Sequence, residues 1–467
     1  MTSKLPEWFV IDTDAGVDDA VALIMACRDM PRRTSMSRAD SKSDALDRDD
    51  MLQIPSRHKI EHELKLIITC HGNTSEENVF INCQKILWAA SLTTSVPLAR
   101  GATSPLTTAS EDASYFHGKD GLGDVCNTAL GYAADKCLET NNSDDRMTTG
   151  SRPGLNAGLE ALLQLLLQAD AAYKQALDAH RIHAEDGASA PVPVKITLVT
   201  LGPLTNLALL VQWLSQPENA SNLHLLGLIQ NIVIMGGSAN GRGNVTRTAE
   251  FNINADPEAA QIVFAFSWDQ IAYNTEIVAY TPHITVVSWD LCKEYSLPYP
   301  FFDQILRIDH RRELRPPVAH SNQSVEHFAE CLDCKAYHDL LTGDGLTRLE
   351  LFLRSVCWCP FVQQREADEQ ENCKRGGNGA VICDCLAVAI AMNPQALVIE
   401  SNKVHVDVEL QGMYTRGQTV VDFGHCYDGQ LRNRNIEWIT KISVAAYQDS
   451  WSRMMNSSHR QPLENTI

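Results

Sequence analysis

An α/β fold, with a mostly parallel sheet covered by helices on both faces, is predicted by three observations. Short apolar runs of strand length recur along the chain, and helix-like segments lie between most of them. The third observation is the entry. A strand over 9–11 runs into the acidic turn Asp12-Thr13-Asp14-Ala15-Gly16-Val17-Asp18-Asp19, and residues 20–27 then read as a helix. Strand, turn and helix in that order begin an α/β unit.

The later elements follow the same alternation. A second strand over 64–70 ends at His71-Gly72-Asn73. A helix over 76–90 carries Val79, Cys83, Ile86 and Leu87 at helical spacing. Further strands are expected over 96–99, 196–200, 231–235, 284–287 and 404–410. Helices are expected over 205–213, 257–266 and 385–392, the second with Asp256 as cap and Pro257 in its first turn. Three polar stretches interrupt the pattern and read as surface insertions, near 32–62, 136–153 and 310–327. The expected organisation is one domain over 1–455 and a polar tail over 456–467.

Composition excludes several classes. Apolar residues at 44% and charged residues at 21% fit a soluble globular protein. The net charge of −19, from 39 basic and 58 acidic residues, leaves no excess of Lys and Arg for broad nucleic-acid binding. No apolar run is long enough for a membrane span. Residues 1–7 are polar and lack the pattern of a secretory signal, so a cytoplasmic protein is expected. The fourteen cysteines are scattered and read as reduced thiols. Cys357-Trp358-Cys359 and Cys383-Asp384-Cys385 are spaced too closely for a zinc knuckle.

The chemistry concentrates in the acidic turn. Asp12, Asp14, Asp18 and Asp19 directly follow a buried strand, where like charges repel and burial raises the penalty. A hard divalent cation relieves this, and Ca²⁺ prefers several carboxylate and carbonyl oxygens. The plainer alternative leaves Asp18 as a helix cap and Asp12 and Asp14 as solvated turn residues. A strand followed by Asp-x-Asp also resembles the entry to haloacid-dehalogenase-like phosphatases. Gly16 stands where that family wants Thr or Val, and two further carboxylates open the helix.

A second cluster surrounds the glycine turn at Gly236-Gly237. Asn244, Glu250 and Asn252 bring two amides and a carboxylate, groups suited to polyhydroxyl recognition. Phe251 between them serves either the substrate side or the core. Asp384 stands ahead of an apolar helix, where capping alone would explain it.

Taken in order, these segments resemble the inosine-uridine nucleoside hydrolase family. The pieces are 12–20, His71-Gly72-Asn73, 198–206, Met235-Gly236-Gly237 with Ala249-Glu250-Phe251-Asn252, Asp384, and Thr415-Arg416-Gly417-Gln418-Thr419. The resemblance spans almost the whole chain and implies a Rossmann-like central sheet, the nucleoside hydrolase fold, with one Ca²⁺ at the bottom of a sugar pocket. It implies hydrolysis of the N-glycosidic bond of ribonucleosides, purine, pyrimidine or both, in a homodimer or homotetramer. Asp14, Asp19, Asp384 and the Leu201 carbonyl are the implied ligands. Asp18 would accept from the ribose 2′-hydroxyl, and Asn244, Glu250 and Asn252 would hold the 3′ and 5′ side. Asn73 lies beside both, Asp12 supports the turn, and Asp14 is the implied general base.

Two departures stand out. Ala15 occupies a position where the family most often has Pro, and Cys383 one where many nonspecific members carry the His that protonates the leaving base. His117 matches a His near the base in some members and is the alternative on the leaving-group side. Trp289 and Trp358 are treated as packing. A catalytically silent paralogue is the competing expectation.

Overall fold

The computed structural model describes residues 7–29, 62–92, 96–124, 152–183, 190–274, 279–307, 347–357, 360–361, 365, 379–424, 426 and 436–456. The expected insertions lie outside these residues, apart from His62 at one end and residues 152–153 at another, and so do Trp358 and the tail beyond 456.

Eight strands form the central sheet: β1 (Glu7–Thr13), β2 (His62–Thr69), β3 (Leu98–Ala99), β4 (Ile196–Thr200), β5 (Ile229–Met235), β8 (His283–Val287), β11 (Val398–Val404) and β14 (Ile436–Ile442). Their order is β11-β14-β8-β5-β4-β1-β2-β3, and every neighbouring pair is parallel except β11 with β14. Three two-stranded pieces join β6 (Tyr273–Asn274) to β7 (Ala279–Tyr280), β9 (Leu297–Pro298) to β10 (Gly379–Ala380), and β12 (Val406–Val408) to β13 (Thr419–Val421). The central strands are buried along nearly their whole length, which is why they read as continuous apolar runs.

The helices, in chain order, are α1 (Val17–Asp29), α2 (Glu76–Ala89), α3 (Ser114–His117), α4 (Ala157–His183), α5 (Thr205–Leu214), α6 (Phe251–Ala255), α7 (Pro257–Ala265), α8 (Trp289–Glu294), α9 (Tyr299–Leu306), α10 (Arg348–Cys357), α11 (Cys383–Met392), α12 (Pro394–Leu397) and α13 (Val444–Asn456). One core cluster joins β1, α1, α2, α11 and α13; a second joins α4, α5 and α7 to the opposite face. The expected mostly parallel sheet with helices on both faces is therefore the observed architecture.

Of the boundaries that differ from expectation, three change how an element is placed in the fold. The strand expected over 404–410 is two short pieces, β11 ending at Val404 and β12 starting at Val406, in different sheets. His62 belongs to β2 rather than to an insertion. The helix expected from 385 begins at Cys383, so Asp384 lies inside its first turn.

Candidate active site

Chain order reverses between β4 and β1, and ligand crevices in open α/β sheets form outside the strand carboxyl ends at such a point. Asp14 follows β1, Asn73 follows β2, Leu201 follows β4 and Gly236 follows β5. Asp14 is fully buried and accepts from the Asn73 backbone N–H at 2.8 Å and from Asn73 Nδ2 at 3.0 Å. The same Nδ2 donates to Asp19 at 3.1 Å, so one amide joins two carboxylates. Asp19 also accepts from Thr13 Oγ1 at 2.5 Å and from the Gly16 N–H at 2.8 Å.

Asp18 sits half-buried in the first turn of α1. The backbone N–H groups of Cys383 and Asp384, at the N-terminus of α11, lower the pKa of Asp18 against the effect of burial. Ile382, the residue flanking that helix, supplies no side-chain cap. Asp384 reaches the acidic turn of β1 because α11 packs against α1. Ligand oxygens of Asp18, Asp19 and Asp384 lie within 4.8 Å of one another. That compact group contains Asp18 where the resemblance implies Asp14, which stands next to it and shares Asn73 with Asp19.

Burial, then the charge of Asp19, pushes Asp14 well above the usual carboxylate range and Asp18 up to about 7. Burial, then Asp18, Asp19 and Asp14, raises Asp384 as well. Carboxylates gathered this way favour protonation or a counter-charge. The donor set is all oxygen and acidic, which fits a hard divalent cation and not a soft one. The cluster could therefore hold such an ion.

On the other wall, Glu250 caps α6. It accepts from the N–H groups of Gly237 and Asn252 at 2.9 Å each and from Ile253 at 3.2 Å. Asn252 Nδ2 donates to the Leu201 carbonyl at 2.6 Å and to the Met235 carbonyl at 3.2 Å, so its Oδ1 is the group turned elsewhere. Asn244 is exposed, and its Oδ1 accepts from the Phe251 N–H at 2.8 Å. Phe251 is buried. The Leu201 carbonyl, just past the end of β4, is thus held by the Asn252 amide.

His117 ends α3 and is buried. Its Nδ1 accepts from the Val17 N–H at 3.0 Å, which places the ring proton on Nε2. Burial lowers its pKa to about 4, so the ring is a neutral hydrogen-bond donor at neutral pH. Cys383 is also buried. A hydrogen bond to Cys292, then burial, drives its thiol well above the ordinary range.

The turn between Asp14 and Asp18 tolerates little change. Ala15 is fully buried at φ 39°, a left-handed conformation that proline cannot adopt. A β-carbon on Gly16 would stand 2.3 Å from Asn73 Nδ2 and 2.6 Å from His117 Nδ1. Gly16→Ala should displace both groups and lower kcat/KM about 10²-fold, the scale of a 1 Å misplacement. Activity within a few-fold of wild type would contradict that close approach.

Comparison with known proteins decides the family. The family model described as inosine-uridine preferring nucleoside hydrolase matches residues 44–449. A non-specific ribonucleoside hydrolase, RihC, of Salmonella enteritidis is 33% identical over 368 residues, 78% of this chain and 86% of that protein. The chain belongs to the inosine-uridine preferring nucleoside hydrolase family. It is an enzyme that hydrolyses the glycosidic bond of ribonucleosides. The fold agrees with that of an inosine-guanosine nucleoside hydrolase, at TM-score 0.59 and 22% identity over 97% of this chain and 99% of that one. A purine-preferring ribonucleoside hydrolase from Gardnerella vaginalis gives TM-score 0.57 and 18% identity, over 96% and 98%.

Several supporting residues of this family member lie in segments the sequence singled out, but their partners could not be read there. Asn206 donates to Asp12 Oδ1 and to the Thr69 carbonyl, both at 2.9 Å, and accepts from the Ala102 N–H at 2.9 Å. It therefore ties the ends of β1 and β2 to the loop after β3. Burial raises Asp12 to about 8 against that bond. His71 Nε2 bonds Thr205 Oγ1 at 2.9 Å, and Thr205 donates to Asp256 at 2.7 Å. Thr205 and Asn206 lie in the segment 198–206 singled out by the resemblance, but their partners are set by packing. No helix among the described residues is long and apolar enough to cross a membrane.

Proposed function

We propose calcium-dependent hydrolysis of ribonucleosides to ribose and free base, purine or pyrimidine. The observation that carries this is the cluster of Asp18, Asp19 and Asp384, whose ligand oxygens lie within 4.8 Å of one another just after β1. Asp14, Asp19, Asp384 and the Leu201 carbonyl would hold the ion. Bound there, Ca²⁺ supplies Lewis acidity that lowers the pKa of water and compensates the clustered charge.

Asp14 takes the proton of the attacking water, with its oxygens aimed by Asn73. The new bond forms between that oxygen and C1′ as the bond from C1′ to the base nitrogen breaks. The electron pair leaves with the base, which then takes up a proton. Asp18 accepts from the 2′-hydroxyl, a role its half-buried carboxylate can fill beside Asp19 and Asp384. Asn252 Oδ1, Glu250 and Asn244 hold the 3′ and 5′ side. These contacts hold the sugar alike in substrate and transition state and orient C1′ for attack, while the clustered carboxylates face the developing positive charge.

His117, neutral at neutral pH, stabilises the departing base by a hydrogen bond from Nε2–H, and the proton that the base takes up comes from water. Cys383 lies beside Cys292 in a buried setting that keeps its thiol protonated, and it has no part in the departure of the base. His117→Ala should then depress turnover of inosine far more than that of a p-nitrophenyl riboside, whose leaving group needs no proton. Cys383→Ala should leave the ratio of the two rates unchanged. A selective loss of inosine activity in the Cys383 variant alone would reverse the assignment.

The whole reading is tested by incubating the protein with inosine, uridine, 2′-deoxyinosine and p-nitrophenyl phosphate, with and without chelator. Ribose should appear from the ribonucleosides, only when calcium is present. Unpaired buried acceptors should reduce kcat/KM for 2′-deoxyinosine by about 10²-fold or more. Phosphate release, or equal use of inosine and 2′-deoxyinosine, would overturn it. The same reading takes the enzyme as a cytoplasmic homodimer or homotetramer, supported by the family resemblance, with no nucleic-acid partner, supported by its net charge of −19.

A further inference from the structure

Segment 415–419 has no role in the reaction as derived above, yet its hairpin holds both ends of the sugar-side strip. Thr419, buried on β13, spans to Ser238 with one hydroxyl. It accepts from the Ser238 N–H at 2.9 Å and donates to the Ser238 carbonyl at 2.8 Å. Its side chain lies against the preceding residue, since a β-carbon on Gly237 would stand 3.0 Å from Thr419 Cγ2. The Gly237 N–H is one of the three donors that orient Glu250.

The far end of the strip meets the same hairpin. A β-carbon on Gly417 would stand 3.1 Å from Asn254 Oδ1 and 3.2 Å from Ala249 Cβ. Arg416 forks onto Glu258 at 2.7 and 2.9 Å. Asp290 on α8 adds a third anchor by accepting from the Ala239 N–H at 2.7 Å. Asn244, Glu250 and Asn252 all lie between Ser238 and Glu258.

We propose that Thr419 is a positioning residue for sugar recognition: its hydroxyl fixes Ser238, which keeps the Gly237 N–H on Glu250 and so aims that carboxylate. This rests on the assignment of Glu250 to the sugar. Thr419→Val keeps the shape but orphans both backbone groups of Ser238, whereas Thr419→Ser keeps the hydroxyl.

The experiment is a double-mutant cycle with Glu250→Gln, read as kcat and KM for inosine. A grip made equally in substrate and transition state appears in KM, so Thr419→Val should raise KM about 10-fold and change kcat less than about 3-fold. Thr419→Ser should stay within about 3-fold of wild type, and in the Glu250→Gln background the Thr419→Val effect should shrink below about 2-fold. The same fold loss in both backgrounds, or a fall in kcat with KM unchanged, overturns the proposal. Amide hydrogen exchange at Gly237 and Ser238 forms an arm independent of turnover. Protection should be lost in Thr419→Val and kept in Thr419→Ser; unchanged protection in Thr419→Val also overturns the proposal. Should the wild-type chain leave ribonucleosides intact, the functional reading fails, and the exchange arm alone decides the positioning.

Discussion

Asp14→Ala should lower ribose release from inosine by about 10²–10⁴-fold, the scale for loss of a well-placed general base. The residue is fully buried, and both of its oxygens are engaged by Asn73. Removing it therefore deletes the proposed proton acceptor and frees the amide that also bonds Asp19. Asp14→Asn separates charge from shape. In chelator the Asn variant should melt no lower than wild type, because one repelling carboxylate has gone, while its turnover falls as far as that of the Ala variant. Turnover near wild type in either variant would end the assigned role, and a collapse of the melting transition in Asp14→Asn would assign the residue to the core instead.

Chelation should destabilise the protein, and more strongly as pH rises. Folding raises Asp14 and Asp384 well above the usual range, Asp18 to about 7 and Asp12 to about 8. Groups raised in the folded state contribute stability below their unfolded pKa near 3.8 and lose it as pH climbs through the folded values. His71 and His117 run the other way, each lowered to about 4 by burial. Their contribution is present above pH ~6.5 and lost as pH falls from there towards ~4. Between pH 6.5 and 8 only the carboxylates are still titrating in this set, so the melting temperature in chelator should fall across that window. Cation binding displaces their protons, so the gain on adding calcium should be larger at pH 8 than at pH 6.5. At free calcium about 1,000 times Kd the stabilisation should reach about 4 kcal/mol. A calcium-induced shift that is absent, or that shrinks between pH 6.5 and 8, would contradict a carboxylate ion site.

What the sequence by itself determined is local. The β1 strand, the Asp12–Asp19 turn and α1 are contiguous, so apolar run, acidic turn and helix pattern announce one another within thirty residues. The same holds for Asp256 and Pro257 opening α7, where cap and first-turn proline are adjacent. Family motifs were legible for that reason. The antiparallel edge was not, because Val404, Val406 and Val408 alternate as one strand would, while the chain leaves the main sheet at His405. Nor was the 27-residue helix Ala157–His183 singled out. Only the tertiary structure decided how Asp384 joins the acidic turn, since the two meet through the packing of α11 against α1. It alone decided that His117 carries its proton on Nε2, because the partner of Nδ1 is a backbone N–H a hundred residues away. Asn206, Thr205 and Thr419 follow the same logic. A buried hydrogen-bonding side chain acquires its role from the distant backbone group that it must satisfy, and that pairing exists only once the sheet and its helices have packed.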